Sequence, residues 1–143
     1  MMSQSSSSSS IYNYQDLDFE VISVKPMVIK ALVEDEELII NVYPMVTKVL
    51  KYGKDYSIWV NVVVSVKTNK PKPGPPCNPN IVVSRSAKAD KVEVLSDGIL
   101  RLRLSDGTEK DVTIKSTNVS FYPDYRDQFG APCTIVNWSV FWR

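Results

Sequence analysis

The chain has 143 residues, 17 Lys and Arg against 16 Asp and Glu, and no histidine. One domain of that length buries about two-thirds of its unfolded surface and can fold without metal or disulfide staples. Balanced charge argues against a generally electrostatic binder of nucleic acid or membrane, and the missing histidine excludes His-based triads, zincin motifs and His-liganded metal sites.

Residues 1–15 read as a tail. Met1-Met2-Ser3-Gln4 and the serines Ser5 to Ser10 lack the basic and apolar regions of a secretory signal. A serine run has nothing to bury, so a disordered tether is expected. No stretch approaches the 18 or so apolar residues of a membrane helix. Asn118-Val119-Ser120 and Asn137-Trp138-Ser139 fit the glycosylation acceptor pattern at a frequency that chance supplies. The expected location is intracellular, in the cytoplasm, and no membrane partner is expected.

Residues 16–143 read as a single all-β domain, because the apolar period is two. Residues 17–24 read as a strand. In residues 26–37, Val28, Ile29, Leu32 and Val33 fit a helical spacing, yet the stretch also alternates as a strand turning at Glu34 to Glu37. The β surroundings favour the strand. Residues 38–43 and 45–50 read as two strands separated by Pro44. Residues 56–67 are the clearest strand: Tyr56, Ile58, Val60, Val62, Val64 and Val66 share one face. Residues 68–80, with Pro71, Pro73, Pro75, Pro76 and Pro79, read as a stiff polyproline-like crossover between sheets rather than a ligand for a proline-binding domain. Asp97-Gly98 and Asp106-Gly107 bracket Leu100, Leu102 and Leu104, which predicts a three-stranded meander over residues 90–118. Residues 133–143 alternate to the end. The fold class is an antiparallel sandwich or small barrel of about eight strands.

Little here carries chemistry. Glu34-Asp35-Glu36-Glu37 lacks the spacing and glycine of a calcium loop and reads as a solvated acidic turn. Asp124 and Asp127 are the one carboxylate pair in an aromatic, loop-like setting, and a single pair is weak ground for glycosidase chemistry. Cys77 and Cys133 each follow a proline at an expected strand start. In a reducing cytosol they are expected to be buried free thiols, and an oxidising or hyperthermophilic origin would reverse that. No catalytic residue, metal site or cofactor is predicted.

Charge is segregated along the chain: seven acids against Lys25 and Lys30 in residues 16–37, then six lysines from Lys48 to Lys72 against Asp55 alone. The expected function is non-catalytic, a structural or accessory interaction module self-associating as a subunit of a larger assembly. Its partners would be protein subunits, most simply copies of itself, and the segregated charge would suit head-to-tail contact. The C-terminal strand carries aromatics on both faces and needs cover on both sides, which marks Trp138, Phe141 and Trp142 as interface candidates. The second reading is an oligonucleotide-binding barrel in which Lys48, Lys51 and Lys54 hold phosphates of single-stranded nucleic acid and bases stack on Tyr52 and Trp59.

Overall fold

The structure is a computed structural model that describes residues 13–81 and 84–143. The serine run falls outside the described residues. Nine strands and no helix are found among the described residues: β1 (Gln15–Leu17), β2 (Phe19–Lys25), β3 (Met27–Val33), β4 (Glu36–Tyr52), β5 (Asp55–Thr68), β6 (Lys91–Ser96), β7 (Gly98–Leu104), β8 (Glu109–Arg126) and β9 (Pro132–Trp142). They form two antiparallel sheets, the expected all-β sandwich. In the first, β4 pairs with β5 along one side; β3 and β1 share its other side, and β6 lies outside β3. The second runs β2-β7-β8-β9.

Pro44 does not break β4. The strand is continuous because Pro44 faces Val62 across a gap between the partners of its other side, β3 ending at Val42 and β1 resuming at Val49. A proline is tolerated where its missing donor faces no ladder. The β4–β5 hairpin closes at Tyr52 and Asp55 around Gly53, whose φ is 59°. The β3–β4 turn instead puts Glu34 and Asp35 at φ 48° and 68°, the two positive values of a type I′ turn. Arg85 holds Glu34 at 3.0 Å, and Lys70 holds Asp35 at 2.7 Å.

The predicted meander is corrected at its first turn. β6 belongs to the first sheet, against β3, whereas β7 pairs with β2 and β8 in the second. Asp97-Gly98 is therefore a corner where the chain changes sheets. Gly98 serves close approach, since a Cβ there would run into the Ile114 side chain. Pro26 makes the matching corner between β2 and β3. Only Ser105-Asp106-Gly107 is a hairpin turn, with Gly107 at φ 89°. The proline-rich segment is likewise no sheet-to-sheet crossover. It joins β5 to β6, two strands of the first sheet, by way of the β8–β9 end of the second. There Lys72 N–H donates to the Gly130 carbonyl at 3.0 Å, and Arg126 N–H to the Pro75 carbonyl at 2.9 Å.

Two core clusters lie between the sheets. One joins Met27, Ile29, Leu38, Ile40, Ile114 and Phe121. The other joins Leu17, Val49, Ile58, Leu100, Leu102 and Val112. Asp106 ties the sheets together beside the second. Its carboxylate accepts from the Thr108 N–H at 2.9 Å, the Tyr56 hydroxyl at 2.7 Å and Lys51 Nζ at 3.1 Å. The Tyr56 hydroxyl first, then the Thr108 N–H, holds this carboxyl well below the usual range, against the opposing effect of burial. A carboxyl lowered in the folded state stabilises above its unfolded value, near pH 4, and that contribution fades as pH falls through the folded value. Asp106→Asn is expected to cost about 1–2 kcal/mol in urea unfolding at pH 7, with the gap to wild type narrowing progressively in acid.

Candidate interaction surface

The alternation of β5 sets the surface. Its even-numbered residues face the core, so Trp59, Asn61 and Val63 face outward. The register with β4 sets Tyr43 opposite Val63, Met45 opposite Asn61 and Lys48 opposite Trp59. The result is an outward apolar patch: Tyr43 is 42% exposed, Met45 45%, Trp59 56% and Val63 52%. Trp59 lies where the pairing shifts between Val46 and Lys48, and its carbonyl accepts from Thr47 Oγ1 at 3.3 Å. No charged side chain interrupts β5 between Asp55 and Lys67.

The C-terminal strand β9 is an edge strand, and it lies beside β5 in the facing sheet. Trp138 and Trp142 turn inward, half-buried, against the two core clusters. On the other face, Ile135 is covered by the cluster of Ile81, Tyr122 and Cys133. Phe141 is left 48% exposed, with Lys115 Nζ 5.7 Å from its ring centre. The three aromatics thus border the β5 flank, but only Phe141 presents its ring outward.

The lysine and aromatic residues read for nucleic acid are divided between two faces. Trp59 and Lys48 are outward neighbours, and Lys48 Nζ is held by Asp16 at 3.0 Å. Lys51 pairs across with Tyr56 on the opposite face, where its ammonium lies 5.4 Å from that ring and bonds Asp106. Tyr52 rests against Tyr14 with ring centres 5.9 Å apart. Lys54 is exposed in the hairpin turn. The segregated charge is answered in part within one chain, since Lys48 meets Asp16 and Lys70 meets Asp35.

The carboxylates singled out by the sequence are also engaged. Asp124 is bound by Arg85 at 2.9 Å, and that hydrogen bond lowers its pKa, the opposite of what a general acid requires. Asp127 accepts the Phe129 and Ala131 N–H groups of its own loop. Glu36, at the acidic turn, is 2% exposed and bound to Arg126. Among the described residues no cluster of three or more acidic or cysteine groups is arranged to hold a metal.

Cys77 and Cys133 are joined in a disulfide with their Cα atoms 5.9 Å apart, within the range such a bond requires. The expectation of two free thiols is thereby corrected. Cys133 lies at the start of β9, next to its first residue Pro132, as predicted, whereas Cys77 lies in the irregular segment that the Pro75 carbonyl and Pro76 hold against Arg126. No helix among the described residues is long and apolar enough to cross a membrane. No family model, no curated protein and no solved structure matches the chain.

Proposed function

We propose that the chain is a non-catalytic structural subunit that works by contact and associates with copies of itself through the β5 flank. The observation that carries this reading is the outward patch of Tyr43, Met45, Trp59 and Val63 on a strand with no charge between Asp55 and Lys67. Contiguous exposed apolar groups on a soluble domain mark contact surfaces, and Trp and Tyr are favoured at their energetic centres. Phe141 and the half-buried Trp138 and Trp142 border the same flank. The Cys77–Cys133 bond favours an environment in which disulfides persist over a reducing cytosol.

Light scattering on the wild type is expected to give a mass above the monomer that rises with concentration. Val63→Lys puts a charge into the patch at an outward position, and it is expected to return the mass to the monomer with an unchanged circular dichroism spectrum. A wild type that stays monomeric at millimolar concentration overturns the reading. Single-stranded oligonucleotide is the contrasting probe, because binding by stacking on Trp59 would quench its fluorescence and weaken steeply with salt.

A further inference from the structure

The unpaired edge of β5 has a polarity that its pairing with β4 fixes. In an antiparallel ladder, opposed residues alternate between pairs that exchange hydrogen bonds and pairs that do not. Asn69 N–H donates to the Glu37 carbonyl at 3.1 Å, so odd-numbered residues of this strand bond toward β4. Even-numbered residues then turn their N–H and C=O groups to the free edge. Two observations agree. Val62 faces Pro44, which has no donor to offer, and the Val62 N–H is taken by the Asn61 side-chain oxygen at 2.9 Å. The row from Tyr56 to Val66 is thus a ladder edge with its groups aimed outward.

Sheet edges are normally guarded by shortness, charge, proline or a bulge. β1 has three residues; β6 has six and carries Lys91 and Glu93; β2 has a register shift at Ile22 and carries Glu20 and Lys25. β5 has 14 residues and its eleven central ones carry no charge. β9, uncharged from Cys133 to Trp142, borders the same flank. A cleft of about 330 Å³ lies between Val64 and Val66 on one side and Phe129 and Cys133 on the other.

Resting on the contact reading above, we infer that a second copy of the chain adds its own β5 to this edge, antiparallel, about a two-fold axis at Asn61. The occupant follows from complementarity. Inward side chains must stay inward across the join, so paired residue numbers must sum to an even value. Among such registers within β5, the one centred on Asn61 sets its only acid, Asp55, opposite its only base, Lys67, at both ends. Neither residue has an ion pair among the described residues. That register sets Trp59 against Val63 of the copy on the outward face, an aromatic and β-branched pair of the favoured kind. The even-numbered pairs, Val60 with Val62 and Ile58 with Val64, fall where the backbone groups point outward. The Val62 donor exchanges its Asn61 acceptor for the Val60 carbonyl of the copy. Such an isologous contact closes at two copies.

Cysteine cross-linking tests the register. Opposed residues that exchange no hydrogen bonds approach to about 4.5 Å between Cα atoms, within disulfide range, and Cys77 and Cys133 already bond each other. Asn61→Cys is expected to form a covalent dimer under mild oxidation. Ser65→Cys alone is not, because its like residue would be eight positions away, or about 26 Å, whereas a mixture of Ser57→Cys and Ser65→Cys is expected to cross-link. Asp55→Lys and Lys67→Asp are each expected to weaken the dimer about tenfold, and mixing the two variants to restore it, because each then meets its opposite charge. Wild-type association without these cross-links and without rescue by mixing overturns the β5 register and leaves contact through another surface. A wild type that is monomeric throughout overturns both readings.

Discussion

Glu36→Gln is expected to destabilise the fold by about 3–5 kcal/mol, the usual consequence of removing one member of a buried ion pair. Glu36 opens β4 and is 2% exposed; Arg126 closes β8 and is 5% exposed. Arg126 Nη1 donates to both carboxylate oxygens, at 3.0 and 2.8 Å. The guanidinium is satisfied further by the Pro123 carbonyl at 3.0 Å and the Gly130 carbonyl at 3.3 Å, and Thr68 Oγ1 donates to Glu36. One pair therefore joins the first sheet to the second at the end where the proline-rich segment docks. Gln keeps the shape and removes the charge, leaving the Arg126 cation buried without a counter-ion. Arg126→Met should cost a similar amount for the converse reason. The double variant Glu36→Gln with Arg126→Met should lose less than the sum, because neither charge is then stranded. Urea unfolding at fixed protein concentration measures all three. A loss below 1 kcal/mol for Glu36→Gln would mean that water reaches the pair and that the sheets do not depend on it.

The fold class was legible because β5 alternates over its whole length and because Leu100, Leu102 and Leu104 alternate with arginines. Sheet membership was not. Asp97-Gly98 and Asp106-Gly107 are the same dipeptide, yet one is a corner and the other a hairpin turn. What separates them is tertiary: β3 captures β6, and Ile114 needs the space beside Gly98. Pro44 misled for the same kind of reason. A proline signals a break only if its donor is needed, and whether it is needed depends on where β3 ends and β1 begins. The type I′ turn at Glu34-Asp35 puts at its first position a glutamate, which rarely takes positive φ, so its place was visible but its geometry was not.

The candidate surface was half legible. The outward set of β5, Trp59 with Val63, follows from parity alone. Tyr43 and Met45 join them only through the β4 register, and reading Pro44 as a break hid their common face. The alternation of β9 shows aromatics on both faces, but the cover of Ile135 by Ile81 from residues 69–90, 54 positions away, is not visible in it. Charge segregation is met in part inside the chain. Antiparallel return of the chain brings Asp16 to Lys48 and Asp35 to Lys70, so acidic and basic stretches that look like two faces meet within one molecule.

Replacing Cys77 and Cys133 together by serine is expected to lower stability by about 4 kcal/mol, on the chain-entropy model for a bond that closes a loop of sequence separation 56. For a domain of this size that corresponds to about 10–15 °C in Tm. The loop so closed contains the whole of β6, β7 and β8, so the bond restricts much of the unfolded chain. It also fixes the segment after β5. Residues 71–80 are all exposed, and Ile81 is the first buried side chain after them. Apart from the disulfide, what holds residues 71–80 to the sheets is the pair of backbone bonds at Lys72 and Pro75 and the bridge between Pro76 and Arg126. Without the bond, hydrogen exchange should accelerate first at Lys72 and at the Arg126 N–H that Pro75 accepts, before the global transition. Thermal melts with and without reductant, set beside the double serine variant, give the magnitude. If reduction speeds exchange in this segment while Tm moves by less than 2 °C, the bond serves the loop alone, and the sandwich owes its stability to its two apolar clusters and the Glu36–Arg126 pair.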